Sequence, residues 1–236
     1  MGFEFVIFDL DNTLYPPGSG VMQEIGRRIQ VWLCQQLDVS WEEAIELRRR
    51  YLQRYGTTMG GLLADHDLDV DAYLSFVHDI QVEDHLGPDP ALAEMLARIP
   101  LRKVIYTNAT SEHGRRVLRA LGIPDQFERI IGIREVRLRN KLNQEAYERM
   151  LTLLDAEGEA CIMVEDSPHN LPPAKAVGMT TILIDAEEGK TSVDVPEHCI
   201  DFAVNTVLEV GRVIDRLLRG EEDEEDHSDD PTVSEG

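Results

Sequence analysis

Cysteine and long hydrophobic runs are both scarce in this chain of 236 residues. The three cysteines lie far apart, at positions 34, 161 and 199, so neither a disulfide framework nor a CxxC metal site is predicted. Such cysteine usage is expected of a protein in the reducing cytoplasm. No segment approaches the roughly 18 unbroken apolar residues of a membrane span, so no membrane partner is expected.

Positive charge is also scarce, because 23 Lys and Arg residues stand against 45 Asp and Glu, for a formal net charge of −22. Proteins bind nucleic acids largely through Lys and Arg contacts to phosphate, so no nucleic acid polymer is expected as a partner. Segment 221–236 contains nine acidic residues and no Lys or Arg. Because it also lacks apolar anchors, we expect a disordered, solubilising tail there.

The rest of the chain alternates between short apolar runs and amphipathic stretches. Five runs are typical of strands, at 3–8, 103–106, 129–133, 160–164 and 180–184. Stretches with helical periodicity alternate with the last four of these predicted strands, at 112–121, 144–154 and 172–177. This βαβ alternation predicts an α/β fold with a doubly wound, Rossmann-like parallel sheet.

A long segment without strand patterns separates the first two strands. Its helical stretches lie at 22–37, 41–55, 70–79 and 90–99. Ser40 and Glu43 form a capping box that starts the second of these helices, and Gly56 is expected to end it. We therefore predict an α/β core made of 1–15 and 88–220, an inserted all-helical module at 16–87, and the tail at 221–236.

Polar side chains collect where the predicted strands end. Ligands of open parallel sheets bind at the carboxyl ends of the strands, so residues at these points are candidates for a site. Two carboxylates follow the first strand, a hydroxyl and an amide follow the second, a lysine precedes helix 144–154, and two acids close strand 160–164. In chain order these are Asp9, Asp11, Thr107, Asn108, Lys141, Glu165 and Asp166.

The acids in this set indicate both a metal and a reaction. Four carboxylates around one cleft repel one another, and Lys141 alone cannot balance them. Oxygen ligands combined with a substrate phosphate suggest Mg²⁺. Asp9 would act as a carboxylate nucleophile, which needs no deprotonation at neutral pH, while Thr107 and Lys141 hold the phosphoryl group. Asp11 would give a proton to the leaving oxygen and later take one from water.

Two other classes of protein use similar residues. A phospho-accepting receiver module also combines acidic residues, a threonine and a lysine on a doubly wound sheet. It carries its phosphorylated aspartate at a later strand, however, and has no long helical insertion. A relative that only binds ligands would be expected to lack Asp9, Asp11, Lys141 or Asp166, and all four are present.

The segments DLDNT, YTNA, Lys141 and VEDSPHN resemble the four ordered motifs of haloacid dehalogenase-like phosphohydrolases, and together they span residues 9–170. The helical insertion resembles the cap of that superfamily. The resemblance implies hydrolysis through an aspartyl-phosphate on Asp9, with Asp11 as acid and base. It implies phosphate binding by Thr107, its neighbour Asn108 and Lys141. The implied ligands of Mg²⁺ are Asp9, the Asp11 carbonyl and Asp166, with Glu165 as the alternative ligand.

Further segments resemble the pyrimidine 5'-nucleotidase-like branch: FDLDNTLYP, YGTTMGGLL at 55–63, YLSFVHDI at 73–80, and the run 106–123. This branch implies a pyrimidine nucleoside monophosphate as the small phosphorylated substrate. We expect the protein to be a monomer or homodimer. Thr57 and Thr58 are either substrate contacts or part of a plain turn between helices. A phosphatase or phosphomutase for phosphoglycolate or a sugar phosphate is the alternative, whereas a dehalogenase has no use for the acid Asp11.

Overall fold

A six-stranded parallel sheet forms the centre of the computed structural model, which describes residues 2–184 and 195–220. The predicted disordered tail at 221–236 lies outside the described residues. The strand order β3-β2-β1-β4-β5-β6 is that of a doubly wound sheet, which confirms the predicted fold class. The strands are β1 (Phe5–Phe8), β2 (Arg102–Tyr106), β3 (Arg129–Ile131), β4 (Cys161–Glu165), β5 (Thr180–Ile184) and β6 (Phe202–Val204).

Helices cover both faces of the sheet and fill the segment between β1 and β2. Within the described residues they are α1 (Val21–Leu37), α2 (Trp41–Tyr55), α3 (Thr58–Asp65), α4 (Val70–Val77), α5 (Pro90–Arg98), α6 (Ser111–Ala120), α7 (Gln144–Leu154), α8 (Leu171–Ala176) and α9 (Val210–Arg219). None of these helices has both the length and the apolar character needed to cross a bilayer.

Strand β1 is buried on both faces, as its unbroken apolar sequence predicts. Val6 and Phe8 pack into one hydrophobic cluster, whereas Phe5 and Ile7 pack into the cluster on the opposite face. The strand pairs with β2 on one side and with β4 on the other. The chain reverses its winding direction between β1 and β4, and such a switch point leaves a crevice at the strand ends.

The insertion between β1 and β2 is entirely helical over its described residues, and its second helix begins and ends as predicted. Ser40 Oγ accepts the Glu43 amide at 3.2 Å, and Glu43 Oε2 accepts the Ser40 amide at 2.8 Å. Gly56 ends α2 at φ 74°, where its amide donates to the Leu52 carbonyl at 3.0 Å. Glycine adopts this left-handed conformation at little cost.

Helix α3 lies where the sequence pattern indicated either substrate contacts or a plain turn. Two glycines, Gly60 and Gly61, lower its intrinsic helix propensity, which explains why the pattern did not predict a helix. A Cβ atom on Gly61 would lie 2.1 Å from the ring of Tyr51. The glycine is therefore needed for the close packing of α3 on α2. Strand β6 was missed as well, because it is only three residues long and lies at the sheet edge.

Candidate active site

The chain leaves β1 through a tight turn that carries both predicted catalytic aspartates. The Asp9 amide donates to the Val164 carbonyl at 2.9 Å, so the pairing with β4 continues one residue beyond the strand. Asn12 then adopts a left-handed conformation at φ 66°, which asparagine tolerates better than most residues. The turn thus places Asp9 and Asp11 at the carboxyl edge of the sheet, beside the switch point.

Lys141 reaches into this edge from the loop before α7 and is completely buried. Its ammonium donates to Asp9 Oδ1 and, at 2.7 Å, to Glu165 Oε2. The Lys141 amide donates to the Asn108 side-chain oxygen at 3.0 Å, which ties the loop to the end of β2. A lysine that sequence order alone had associated with the site therefore touches the predicted nucleophile directly.

Three carboxylates meet beside the ammonium. Oxygens of Asp9, Glu165 and Asp166 all lie within 4.8 Å of one another. Both oxygens of Glu165 are already engaged, one by Lys141 and the other by the Ser167 amide at 3.2 Å. Asp166 is less buried than Glu165 and accepts a longer, 3.3 Å hydrogen bond from the Thr13 hydroxyl. The oxygen-only donor set fits a hard divalent cation such as Mg²⁺.

Burial, together with mutual repulsion, raises the pKa values of these acids. Burial, followed by repulsion from Glu165, raises the pKa of Asp9 to about 7 in spite of the neighbouring Lys141. Burial, followed by repulsion from Asp9, raises the pKa of Asp166 to about 6. Burial also raises the pKa of Glu165. A cation held between the acids would favour their ionised forms.

Asp11 lies in a different environment, bound by two residues that the sequence analysis did not identify. The Tyr15 hydroxyl donates to Asp11 Oδ1 at 2.5 Å, and His113 Nε2 lies 3.1 Å from the same oxygen. Burial acts to raise the pKa of Asp11, but attraction to His113 and the hydrogen bonds from both partners outweigh burial and lower it. Asp11 therefore favours the carboxylate form in the free protein.

The predicted phosphate-binding residues Thr107 and Asn108 follow β2 directly. The Thr107 hydroxyl oxygen accepts the Ala109 amide at 3.0 Å, so its proton is left to donate to another oxygen. The side-chain oxygen of Asn108 holds Lys141, which leaves the Asn108 NH₂ group as the donor on that side chain. Both residues therefore retain donors of the kind that a phosphoryl group requires.

The predicted cap contacts, Thr57 and Thr58, lie at the start of α3 and differ in what they do. The Thr57 hydroxyl caps the helix by accepting the Gly60 amide at 3.0 Å. The Thr58 hydroxyl is buried and has no hydrogen-bond partner in the part of the chain that the structure describes. Both line a cavity of about 240 Å³ that also contains Asp11 and Asn108 in its wall.

Asn140 connects this cap segment to the lysine loop and was also missed by the sequence analysis. Asn140 directly precedes Lys141 in the chain, and its NH₂ group donates to the Tyr55 carbonyl at 2.6 Å. Its oxygen accepts the amide of Leu142 at 3.1 Å. The only sequence signal for this role was proximity to Lys141. The sequence signal for Tyr15 was its position four residues after Asp11. The signal for His113 was the occurrence of a histidine in the first turn of the helix that follows β2.

Comparison with known proteins agrees with the fold. The family described as haloacid dehalogenase-like hydrolase matches residues 3–178, and the chain belongs to this family. Phosphate metabolism protein 8 of Saccharomyces cerevisiae is 31% identical over 132 residues, which are 52% of this chain and 41% of the yeast protein. The chain thus spans less than half of the length of that relative.

A second relative matches along almost the whole chain. Glyceraldehyde 3-phosphate phosphatase of Methanocaldococcus jannaschii is 24% identical over 238 residues, covering 91% of this chain and 98% of the archaeal one. Among solved structures, a HAD phosphatase from Thermococcus onnurineus superposes with a TM-score of 0.62 at 22% identity, covering 90% of this chain and 98% of the other. At that identity the structural likeness concerns the fold alone.

Proposed function

We propose that this protein is a Mg²⁺-dependent phosphomonoesterase that acts on a small phosphorylated metabolite through an aspartyl-phosphate on Asp9. One observation carries the proposal: Asp9 lies at the switch point of the sheet, bonded to the buried ammonium of Lys141 and within 4.8 Å of Asp166. The proposed nucleophile, a cation that could bind the phosphate and an acidic metal ligand therefore lie close together.

In the first step, an Asp9 oxygen attacks phosphorus, and the bond from phosphorus to the leaving oxygen breaks. Asp11 gives its proton to that oxygen. Asp11 is ionised in the free protein because its pKa is lowered, but the like charge of an arriving phosphate raises that pKa and favours proton uptake. Tyr15 and His113 hold the Asp11 carboxyl group in place during the transfer.

In the second step, water attacks the phosphorus of the aspartyl-phosphate while Asp11 takes a proton from that water. The Asp9–phosphorus bond breaks, and the free Asp9 carboxylate is restored with inorganic phosphate as the product. Lys141 and Thr107 donate to the phosphoryl oxygens in both steps. The hydrogen bond to Glu165 fixes the Lys141 ammonium at the site, where it can donate to the phosphoryl group.

In this proposal, Asp9, Asp166 and the Asp11 backbone carbonyl are the groups that would hold Mg²⁺. Glu165 is assigned to Lys141 instead, because both of its oxygens already accept hydrogen bonds. When bound, the ion neutralises charge on the phosphate and on the acids.

For the substrate, we favour a pyrimidine nucleoside 5'-monophosphate. This rests on the resemblance of 55–63 and 73–80 to the pyrimidine 5'-nucleotidase-like branch. Segment 16–87 serves as the cap over the core formed by 1–15 and 88–220. The alternative is a phosphatase or phosphomutase for phosphoglycolate or a sugar phosphate, and the relative named glyceraldehyde 3-phosphate phosphatase supports an alternative of this kind.

A panel of phosphomonoesters assayed with Mg²⁺ tests this function. We expect UMP or CMP to be hydrolysed with a higher kcat/KM than AMP, GMP or phosphoglycolate. Asp9→Asn should abolish both turnover and phosphoenzyme formation, because an amide is a poor nucleophile. Asp11→Asn should slow turnover by roughly 10²- to 10⁴-fold while phosphate analogues still bind. Near-normal turnover by the Asp9 variant would place the nucleophile elsewhere, and a better substrate than UMP and CMP would correct the specificity alone.

A further inference from the structure

Arg48 is a half-buried cation in the wall of the cavity that contains Asp11. It lies on α2, and its buried Nε atom has no hydrogen-bond partner among residues 2–184 and 195–220. Nor does its guanidinium form an ion pair with any acid in these ranges. By contrast, its neighbour Arg49 is exposed and forms an ion pair with Glu46 at 2.7 Å.

The helix facing Arg48 leaves room for its guanidinium. A Cβ atom on Gly26 of α1 would lie 2.9 Å from one terminal nitrogen of Arg48 and 3.0 Å from the other. A side chain at this position would require the guanidinium to move, so glycine permits the observed placement. Partial burial lowers the pKa of Arg48, although the neighbouring Tyr73 opposes this change.

A second unsatisfied donor lies in the same cavity wall. The Thr58 hydroxyl is buried and has no partner within the described residues, as noted above. The remaining wall near it is largely apolar and includes Met59, Leu74 and the ring of Tyr73. Buried donors are normally hydrogen-bonded, and Arg48, although only half-buried, lines the same cavity with a buried Nε atom that has no partner within the described residues. Two unsatisfied donors in one cavity therefore indicate a place for a ligand oxygen.

We infer that Arg48 and Thr58 form a subsite that binds an oxygen acceptor on the leaving group of the substrate. This inference rests on the proposed phosphatase function, because Asp11 and Asn108 line the same cavity. Two sources supply the required chemistry: a carbonyl oxygen on a heterocyclic base, or the oxygens of a carboxylate. A leaving group without an acceptor leaves both donors unsatisfied and is selected against.

Three substrates separate these cases when assayed with Arg48→Met. UMP offers ring carbonyls, phosphoglycolate offers a carboxylate, and phenyl phosphate offers neither. We expect kcat/KM for at least one acceptor-bearing substrate to fall at least tenfold more than kcat/KM for phenyl phosphate, because a hydrogen bond to a charged group is lost. Thr58→Val should change the same ratio in the same direction by a smaller factor. Arg49→Met is the matched control and should leave the ratio unchanged.

Binding to the Asp9→Asn protein gives a readout that does not depend on turnover. Calorimetric titration should show at least a tenfold weaker Kd for UMP or phosphoglycolate when Arg48→Met is added, with a smaller change for phenyl phosphate. A loss confined to UMP assigns the subsite to a base carbonyl, and a loss confined to phosphoglycolate assigns it to a carboxylate. Equal losses for all three compounds, or none, would overturn the inference. Absence of turnover by the unaltered protein would instead refute the proposed function, and the titration would still decide the role of Arg48.

Discussion

His113 Nε2 lies 3.1 Å from Asp11 Oδ1, although 102 positions separate the two residues in the chain. The histidine is completely buried in the first turn of α6, and its ring centroid lies 4.9 Å from that of His78. Tyr15 donates to the same Asp11 oxygen. The proposed acid and base is therefore held by partners on two different parts of the fold, and its orientation depends on them.

Replacing His113 should slow catalysis without weakening substrate binding, because His113 contacts Asp11 and acts through it. For His113→Leu we expect kcat to fall about 10- to 100-fold, the equivalent of a lost hydrogen bond to a charged group, with little change in KM. His113→Gln should recover part of the loss, since its amide can donate from a similar position. Equal activity of the Leu and Gln variants in steady-state assays would contradict this positioning role.

Lys141 should matter for stability as well as for activity. Lys141→Met leaves the buried acids Asp9 and Glu165 without their shared cation, and breaking a buried ion pair costs about 3–5 kcal/mol. Urea unfolding should show a loss of this order, and turnover should be lost too. The double variant Lys141→Met/Glu165→Gln should regain part of the stability but no turnover. If the single variant is as stable as the unaltered protein, the ammonium does not offset the buried acids.

The buried imidazole of His78 should make the fold less stable in mild acid. Burial, followed by the charge of His113, lowers the pKa of His78 to about 4 from 6.5, while Asp11 opposes this and Arg116 adds to it. Between these pH values the unfolded chain binds a proton that the folded chain does not, so the free energy of unfolding falls as pH falls. We expect His78 to account for a loss of about 2 kcal/mol between pH 7.5 and pH 5.

Urea unfolding of His78→Gln at the same two pH values checks this contribution. The variant should lose less stability on acidification than the unaltered protein, by about the 2 kcal/mol assigned to the imidazole. His198→Gln serves as the control, because the His198 side chain is exposed, and should show the original pH dependence. Identical pH dependence of the His78 variant and the unaltered protein would show that the ring binds its proton in the folded state as well.

The central strands could be predicted because burial on both faces requires apolar residues without interruption, as β1 illustrates. Helix α3 could not, because Gly60 and Gly61 are unfavourable in a helix and only tertiary packing against Tyr51 accounts for one of them. The low helix propensity of this segment is outweighed by the close packing of α3 on α2. The edge strand β6 was too short to leave a periodic signal.

The candidate site follows the same division. Asp9, Lys141 and Asp166 could be chosen as candidates because each follows or precedes a predictable element, and the structure places them together. The partners of Asp11 could not, since the contact with His113 depends on how α6 packs beside the turn after β1. The position of Arg48 in the cavity wall could not be predicted either, because the sequence shows it only as one of three consecutive arginines on an amphipathic helix.

Metal dependence gives the last prediction, and it separates the two neighbouring acids Glu165 and Asp166. Activity should disappear in chelator and return with Mg²⁺. Without a bound cation, burial and mutual repulsion raise the pKa values of Asp9 and Asp166 and disfavour their ionised forms. Asp166→Asn should raise the Mg²⁺ concentration needed for half-maximal activity at least tenfold. It should also reduce the rise in Tm that Mg²⁺ produces by binding the folded state.

Glu165→Gln is the matched comparison, because it removes a charge one residue away. Glu165 contacts Lys141 rather than holding the ion in our proposal, so this variant should lower kcat while leaving the Mg²⁺ requirement within about threefold of the original, since no ligand is removed. A Mg²⁺ requirement that shifts more for Glu165→Gln than for Asp166→Asn would reverse the two assignments. Full activity after exhaustive chelation would rule out the metal-dependent mechanism.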